Sequence, residues 1–405
     1  MVGPRHRPHY RRELNFLSPR DYMRSEWRYL MNQVRAIVAV STTQYHPLHI
    51  KQHTSQTPNK GAELMKIVAL VLAGGEGTRL YPLTAEHAKP ALPFANGYRI
   101  VDFVLSNLVN SRISTIYMLA QYKPESLMQH IAAAWAPWFA DTQGTIKVLL
   151  PRSNTFAGQF KGTADAVHQY LDLLQAHSPD IVAVFAADHV YRMDVRQMVD
   201  FHRARKADVT VSAVAVPLEK ASSFGIVSTH PDGRVGEFRE KPQRPSPIPH
   251  NPARAYASMG NYLFDPAVLE AALHDARGRG DTDFGRDLLP RLCNSARVYA
   301  YDFAENQVPG VQDFEERAYW RDVGTLSALA AAQQDAMGHR PRFNLWNRRW
   351  PIRGEYDAAL LAKIRGWKDE SAATAETPGA ATPATAASWR GAGRDLRNDE
   401  RLQPS

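Results

Sequence analysis

Short apolar runs alternate with segments of helical periodicity over residues 66–330. The runs have the length and composition of buried strands: KIVALVLA, STIYMLA, DIVAVFAA, DVTVSAVAV, ASMGNYLF and RVYAYDF. Intervening segments predict helices over Val101–Asn110, Ala164–Gln175 and Val195–Arg205. This order is typical of an open α/β sheet with crossover connections. Ligands of such sheets bind at the carboxyl ends of the strands, so the residues that follow each run are candidates for function.

The first apolar run ends in a glycine-rich loop, AGGEGTRL. Its spacing does not match G-x-G-x-x-G or a Walker loop, because the third glycine of the former and the lysine of the latter are missing. Glycines still expose main-chain amides, and Arg79 supplies a charge that can pair with two phosphate oxygens. A tight turn with a surface arginine explains the loop equally well. Glu76 is expected to point away from any bound phosphate.

Two aspartates occupy positions that suit a metal ion. Asp188 follows DIVAVFAA and precedes His189, and Asp322 lies in YWRDVGT. Mg²⁺ binds one or two carboxylates together with substrate phosphates, so the two aspartates can share one cation. Helix capping is the alternative for Asp188. Because the two residues are far apart in the sequence, their pairing is a hypothesis.

Other charged and small residues also permit two interpretations. Lys89 in AKPA, and Glu240 and Lys241 in EFREKP, can bind phosphate or form ordinary surface ion pairs. Gly162 and Thr163 open a predicted helix, where an anion site and simple capping are both compatible with the sequence.

Composition limits the class of protein. The chain has 405 residues, of which 44% are hydrophobic, and none of its apolar runs is long enough to span a membrane. The single cysteine, Cys293, excludes an internal disulfide and fits a reducing cytoplasm. The formal charge of +8 is concentrated in residues 1–64, which contain ten Arg and Lys and four Asp and Glu. The sequence contains no nucleic-acid-binding module and no apolar run that could span a membrane. Neither nucleic acid nor membrane is therefore expected as a partner.

Four segments differ in composition. Residues 1–64 form a basic leader without steady periodicity, which predicts poor order. Residues 65–330 contain the α/β pattern. Residues 331–367 are interpreted as a linker or helical extension. Residues 368–405 form an Ala/Thr-rich tail that cannot bury enough apolar surface to fold, so it is expected to be disordered.

The motifs taken together resemble the glucose-1-phosphate adenylyltransferases, a branch of the sugar nucleotidyltransferases, over residues 66–365. The segments that carry the resemblance are AGGEGTRL, AKPALPF, YRIVDFVLSNLVNS, AQY, KGTADAV, AADHVY, FGIV, EFREKP, ASMGNYLFD, DFGRDLLP and YWRDVGTL. The resemblance implies a Rossmann-like (GT-A-like) catalytic domain over 65–330, with a mixed, mostly parallel sheet and helices on both faces. It also implies Mg²⁺-dependent transfer of AMP from ATP to α-D-glucose 1-phosphate in the cytoplasm. The products would be pyrophosphate and ADP-glucose, the latter for glycogen or α-glucan synthesis.

The resemblance also implies roles for individual residues. Asp188 and Asp322 resemble the Mg²⁺ ligands, Arg79 and Lys89 resemble the residues that face the triphosphate, and these four form the implied catalytic set. The positions that match the nucleotide site are Ala73, Gly74, Gly75, Gln121, Gly162 and Thr163. The positions that match the glucose-1-phosphate pocket, with Lys241 on the sugar phosphate, are Glu240, Lys241, Ser258, Tyr262, Asp283, Phe284 and Trp320.

Two departures from the family pattern bear on these expectations. The family's C-terminal β-helix has no counterpart after Lys363, and the family's homotetramer uses that domain, so the resemblance does not predict the assembly of this chain. Ala187 replaces the glycine that usually precedes the metal aspartate, and its methyl group is expected to narrow the nucleotide site. Two alternatives remain open: a transferase for another nucleotide or sugar, and a non-catalytic regulatory subunit. The retained charged residues argue against the second.

Overall fold

The computed structural model describes residues 65–140, 142, 144–152 and 158–354. The predicted basic leader over 1–64 and the predicted tail over 368–405 lie outside the described residues, as do residues 355–367 of the predicted extension. Within the described part of the chain, no helix is long and apolar enough to cross a membrane.

One large mixed sheet organises the fold. The strands in chain order are β1 (Ile67–Ala73), β2 (Thr115–Ala120), β3 (Thr145–Leu149), β4 (Ile181–Ala186), β5 (His189–Tyr191), β6 (Val209–Pro217), β7 (Gly225–Thr229), β8 (Val235–Glu240), β9 (Arg254–Phe264), β10 (Val298–Asp302) and β11 (Trp320–Asp322). The sheet has the spatial order β10, β6, β9, β4, β1, β2, β3, with β7 paired to β9 and β8 paired to β7. Strands β1 to β4 run parallel, and β9 is antiparallel to β4 and β6. The predicted α/β fold class is therefore confirmed.

Helices cover both faces of this sheet. In chain order they are α1 (Val101–Asn110), α2 (Pro124–His130), α3 (Ala136–Ala140), α4 (Thr163–His168), α5 (Leu171–His177), α6 (Val195–Ala204), α7 (Pro266–Arg279), α8 (Leu289–Ser295) and α9 (Leu326–Asp335). Two π-helical turns, Ile131–Trp135 and Phe284–Leu288, join α2 to α3 and lead into α8. Helices α1 and α6 form where the sequence predicts them.

The single helix predicted over Ala164–Gln175 is in fact two helices, α4 and α5. The break lies at Tyr170, whose ψ of 23° is outside the helical range. The Tyr170 hydroxyl donates to the carbonyl of Leu150, and the side-chain oxygen of Gln169 accepts from the main-chain N–H of Arg152. These contacts with the segment that follows β3 interrupt the helix, so tertiary structure overrides the local periodicity here.

Alternate side chains of β1 fill two separate cores. Ala69 and Val71 pack with α1, α2 and α6, whereas Val68 and Leu70 pack with α4, α5, α7 and α8. All four side chains are fully buried, which explains why the run is continuously apolar. Burial on both faces fixes the register of the central strands, and with it the edge at which they end.

A third apolar cluster fastens the chain after β11 to the loops that follow β1. The ring of Phe343 packs on that of Phe103 with centroids 5.7 Å apart, and the Arg192 guanidinium lies 4.5 Å from the centroid of the Phe343 ring. Arg192 also pairs with Glu315 at 3.1 Å, and both side chains are buried. These contacts hold the described part of the predicted extension against the domain.

Asp102, near the start of α1, is fully buried and heavily hydrogen-bonded. Its Oδ2 accepts from the main-chain N–H of Arg99 at 2.7 Å, and its Oδ1 accepts from the indole N–H of Trp135 at 2.8 Å. The Nε2 of His130 lies 2.6 Å from the same Oδ1. A buried carboxylate is costly unless such partners satisfy it, so Asp102 ties α1 to α2 and the π-helical turn that follows α2.

We expect Asp102→Asn to lower the free energy of unfolding by about 3 kcal/mol, because the new amide places a donor where the buried N–H groups need an acceptor. Unfolding in urea, followed by tryptophan fluorescence, measures the change. Asp172→Asn is the matched control, since Asp172 is exposed and its ion pair with Arg152 contributes about 0–1 kcal/mol. Equal losses in the two variants would contradict the role given to Asp102.

Candidate active site

A cavity of about 510 Å³ opens at the carboxyl ends of β1, β2 and β4. Gly74, Gln121 and Asp188 follow these three strands and line the cavity. Ala73 and Trp320 do not line it. The other residues to which the family resemblance assigns a role all do: Gly74, Gly75, Arg79, Lys89, Gln121, Gly162, Thr163, Asp188, Glu240, Lys241, Ser258, Tyr262, Asp283, Phe284 and Asp322.

The loop after β1 presents main-chain amides that have no partner in the described part of the chain. The N–H groups of residues 75–78 donate no hydrogen bond to another described residue. Gly77 has a φ of 68°, which favours glycine, and a Cβ there would come within 2.9 Å of the Thr84 side chain. Arg79 follows, exposed and with no ion-pair partner in the described part of the chain. Free amides beside an arginine suit the binding of phosphate oxygens.

Neither Glu76 nor Ala187 lines the cavity. Glu76 is exposed and is not among the residues that line the cavity, which agrees with its predicted outward orientation. Ala187 is fully buried in the core that contains α1 and does not line the cavity either. The prediction that its methyl group narrows the site is therefore wrong.

Lys89 lies between the two predicted metal ligands. Its Nζ is 2.8 Å from Asp188 Oδ2 and 3.3 Å from Asp322 Oδ1. Burial lowers the pKa of Lys89, but the two carboxylates outweigh burial, so this pKa is above its ordinary value. Burial also raises the pKa of Asp188, whereas His189 and Lys89 outweigh that effect and lower this pKa to about 2. The lysine is therefore charged at neutral pH, and Asp188 is ionised.

A short antiparallel ribbon brings the two aspartates together. Asp188 lies in the turn between β4 and β5, and Asp322 is the last residue of β11. Strand β5 pairs with β11 so that Asp322 lies opposite His189, the neighbour of Asp188. Opposite residues of an antiparallel pair lie about 4.5–5.5 Å apart at Cα, so this register places both carboxylates at one point.

The side chains at this point fit a hard divalent cation. The carboxylate oxygens of Asp188 and Asp322 and a ring nitrogen of His189 lie within 4.8 Å of one another. Two carboxylates are enough protein ligands for Mg²⁺ when a substrate phosphate completes the shell. The two positive charges of Lys89 and Arg79 balance the negative charges of the two aspartates. A cation that binds the carboxylates then adds positive charge, which an anionic substrate entering with it can neutralise.

The wall beside Gln121 is held by main-chain contacts. The Gln121 side-chain oxygen accepts from the N–H of Phe160, whose side chain also lines the cavity. A Cβ on Gly162 would come 2.4 Å from the carbonyl oxygen of Thr282, so only glycine fits there. The same carbonyl accepts from the N–H of Ala164 at 2.8 Å. The first turn of α4 thus uses its amides within the protein, and capping rather than an anion site explains this helix start.

Thr163 joins two walls of the cavity. Its Oγ1 donates to Asp283 Oδ2 at 2.8 Å and accepts from the N–H of Phe284 at 3.0 Å. The other oxygen of Asp283 accepts from the N–H groups of Gly285 and Arg286, each at 3.0 Å. Asp283 is therefore satisfied by the protein as the cap of the turn that follows it, and it positions Phe284.

Glu240 and Lys241 stand at the end of β8, where two glycines leave room for the carboxylate. Cβ atoms on Gly225 and Gly285 would come 2.9 Å and 2.8 Å from Glu240 Oε2. The other oxygen, Oε1, pairs with Lys241 Nζ at 2.8 Å. The Lys241 side chain is largely exposed, so its ammonium is accessible to a ligand.

Strand β9 is distorted where it lines the cavity. Its register against β6 shifts between Val211 and Ala213, and Gly260 has a φ of 70°. The shift leaves Ser258 Oγ and the Tyr262 hydroxyl 3.3 Å apart, and both residues line the cavity. Burial raises the pKa of Tyr262, so its phenol stays a hydrogen-bond donor at neutral pH.

Trp320, which the resemblance assigns to the sugar pocket, lies behind the cavity wall instead. Its buried ring packs edge-on against His189 at 5.0 Å and Phe224 at 5.4 Å between centroids, and these two residues line the cavity. Ala73 is the buried last residue of β1. The sequence assigned no role to His189 or Phe224, although each belongs to a family segment, AADHVY or FGIV.

A second cavity, of about 400 Å³, is lined by residues of α7 and α8 and contains none of the predicted site residues. Its charged side chains have partners already: Asp208 pairs with Arg297, and Asp281 pairs with Arg291. The chemistry implied by the sequence therefore belongs to the cavity at the strand ends.

Known proteins match this chain over most of the described residues. The profile of the nucleotidyl transferase family matches residues 68–338. A glucose-1-phosphate adenylyltransferase of Thermodesulfovibrio yellowstonii is 50% identical over 288 residues, which cover 71% of this chain and 70% of the relative. A glucose-1-phosphate adenylyltransferase of Mycobacterium leprae is 46% identical over 308 residues, 75% of each chain. One of Mycobacterium tuberculosis is 46% identical over 305 residues, again 75% of each chain.

We expect Thr163→Val to lower the free energy of unfolding by about 1–3 kcal/mol, because it removes the donor to Asp283 and the acceptor of the Phe284 N–H at nearly constant volume. Thr163→Ser keeps the hydroxyl and is expected to lose only about 1 kcal/mol, the contribution of one methyl group. Thermal unfolding of the full chain compares the three proteins. If the valine variant is as stable as the wild type, the hydroxyl bridge does not hold the two walls together.

Proposed function

The chain belongs to the nucleotidyl transferase family, and we propose that it catalyses the reaction for which its relatives are named, as a glucose-1-phosphate adenylyltransferase. AMP passes from ATP to α-D-glucose 1-phosphate, giving ADP-glucose and pyrophosphate. The observation that carries the proposal is the cluster of Lys89, Asp188 and Asp322 beside the glycine loop, in one cavity at the strand ends. A purely regulatory subunit has no need for such a cluster.

The nucleotide is assigned to the side of the cavity formed by the glycine loop. The N–H groups of residues 75–78 and the guanidinium of Arg79 have no partner among the described residues, and they suit the β- and γ-phosphates. Gln121 and Phe160 form the neighbouring wall and suit the base, since an amide and an aromatic ring offer polar and stacking contacts. As the bond to pyrophosphate breaks, negative charge grows on the leaving group, and Arg79 offsets it.

Glucose 1-phosphate is assigned to the side formed by β8 and β9. Lys241 offers an accessible ammonium to the sugar phosphate, and the carboxylate of Glu240 accepts hydrogen bonds from sugar hydroxyl groups. Ser258 and Tyr262 present two further hydroxyl groups. The Phe284 ring, which Thr163 and Asp283 hold in place, supplies an apolar surface.

The reaction needs positioning and charge rather than a protein nucleophile. A phosphate oxygen of glucose 1-phosphate attacks the α-phosphorus of ATP, so one P–O bond forms as the bond to pyrophosphate breaks on the opposite side. The attacking oxygen is already an anion, so no general base is required. The cavity lowers the barrier by holding the two substrates in line and by placing Arg79 and Lys89 near the developing charge.

We assign Mg²⁺ as the cation, with Asp188 and Asp322 as its protein ligands. When bound, the ion neutralises phosphate charge and polarises the reacting phosphoryl group. The Lys89 ammonium holds the two carboxylates close together in the cavity. A cytoplasmic location accompanies this proposal, and it agrees with a sequence whose single cysteine, Cys293, cannot form an internal disulfide.

Release of pyrophosphate in the presence of Mg²⁺ and glucose 1-phosphate tests the proposal, with ATP, UTP, dTTP, CTP and GTP compared. We expect the wild type to release pyrophosphate with ATP. We expect Asp188→Asn to release it more slowly, by on the order of 10²-fold or more, because a preorganised charge contact to the reacting groups is lost. Preference for another nucleotide would show a different transferase. If folded protein releases no pyrophosphate with any of the five nucleotides, the result would favour a regulatory subunit.

Lys241→Ala tests the assignment of the sugar phosphate. We expect the KM for glucose 1-phosphate to rise roughly tenfold or more, because a hydrogen bond to a charged group contributes about 1.5–3 kcal/mol. The KM for ATP should change little. Lys147→Ala, at an exposed position on the edge strand β3, is the control for loss of a lysine. An unchanged KM for glucose 1-phosphate would remove Lys241 from this role.

A further inference from the structure

We propose that His189 is a positioning residue that holds the carboxylate of Asp188 through a proton on its Nε2. This role rests on the proposed use of Asp188 as a cation ligand and goes beyond it, since it names the group that orients that ligand. His189 is the first residue of β5, next to Asp188 in the chain, and it lines the cavity.

The two oxygens of Asp188 face two different partners. Oδ2 accepts from Lys89 Nζ at 2.8 Å, whereas Oδ1 lies 3.5 Å from His189 Nε2. The second distance exceeds a normal hydrogen bond by about 0.5 Å, so the attraction between the two groups is electrostatic at this separation. A carboxylate that is attracted from both sides has few orientations open to it, and the cation ligand is preorganised.

The surroundings of the imidazole select which nitrogen carries the proton. His189 Nδ1 is buried and has no hydrogen-bond partner among the described residues. Asp188 Oδ1 can only accept, so a proton on Nε2 faces an acceptor, whereas a proton on Nδ1 would be a buried donor without one. The ring nitrogen that faces Asp188 is therefore the one that carries the proton.

The ring is also confined by its neighbours. Trp320 packs against it edge-on with centroids 5.0 Å apart, and the Phe224 ring also packs against Trp320, with centroids 5.4 Å apart. A Cβ on Gly260 would lie 3.6 Å from His189 Cε1, an ordinary van der Waals distance, so this part of β9 passes close to the ring. Pairing of β5 with β11 fixes the backbone of His189 opposite Asp322. These contacts set the ring plane, so the direction of Nε2 is fixed as well.

Direct coordination by His189 is the competing role, because its nitrogen lies within 4.8 Å of the carboxylate oxygens. A metal-bound imidazole uses a bare nitrogen and almost always donates its other N–H to an acceptor. The other nitrogen here, Nδ1, has no acceptor among the described residues. The surroundings of the ring therefore favour a donor to Asp188 over a ligand of the cation.

Three substitutions separate the loss of this proton from the loss of the ring. His189→Gln places an N–H₂ group near the position of Nε2, His189→Asn places one near Nδ1, and His189→Phe keeps the ring without a donor. With Mn²⁺ as the probe, counted by the electron paramagnetic resonance of the free ion, we expect affinity and kcat to fall roughly tenfold or more in the Asn and Phe variants. The Gln variant should stay within about threefold of the wild type, because it restores the donor.

His274→Phe is the matched control, since His274 is exposed on α7 and outside the site, and it should change neither quantity. Thermal unfolding of each variant identifies any that fails to fold. A folded Phe variant with normal Mn²⁺ affinity and kcat overturns the proposal, as does a Gln variant as impaired as the Phe variant.

The proton itself is observable in the wild-type chain. In long-range ¹H–¹⁵N spectra of protein labelled at histidine, the His189 signal is the one missing from His189→Gln, and we expect it to show a protonated Nε2. A bare Nε2, or a nitrogen coupling from the ring to bound Mn²⁺ in pulsed electron paramagnetic resonance, overturns the proposal in favour of a ligand. If Asp188→Asn retains turnover and Mn²⁺ affinity, the proposed function of Asp188 fails and this inference fails with it. If Asp188→Asn loses both and His189→Phe loses neither, only the role of His189 fails.

Discussion

The ammonium of Lys89, held between the carboxylates of Asp188 and Asp322, is the contact on which the rest of the cavity depends. Two carboxylates at one point repel each other strongly in a partly buried site, and a cation between them turns this repulsion into attraction. The three residues come from the segment after the glycine loop, the end of a central strand and a separate ribbon. One charged side chain therefore holds together parts of the chain that no continuous element joins. The same arrangement keeps Asp188 ionised, and both carboxylates line the cavity, where a metal ion can reach them.

The polar groups around the cavity fall into two sets. The two carboxylate oxygens of Asp283 and the side-chain oxygen of Gln121 have hydrogen-bond partners in the protein, so these acceptors act mainly on the shape of the walls. Arg79 and the amides of residues 75–78 lack such partners among the described residues, and Lys241 is exposed. Groups of the second set are donors or cations, which suits a ligand with several phosphates. The separation of structural from open polar groups is what a site that binds two anionic substrates requires.

The apolar runs predicted the central strands because these strands are buried on both faces, and the edge at which they end followed from the parallel arrangement. The ribbon of β5 and β11 was not predicted, since a strand of three residues carries no periodicity. The break at Tyr170 depends on contacts with a distant segment, which local propensity does not contain. Ala187 was assigned to the wrong side of the sheet, although the alternation of side chains along an extended chain places it opposite Asp188.

Family motifs contain supporting residues as well as residues that contact a ligand, and Trp320 shows the difference. Its motif assigns it to the sugar pocket, yet the ring lies behind His189 and Phe224, which form the wall. The ring at this position holds His189, because an imidazole with free rotation would not direct a nitrogen at Asp188. A motif position near a ligand therefore does not by itself establish contact with that ligand. The distinction follows from burial and ring packing, which become visible only when distant segments are brought together.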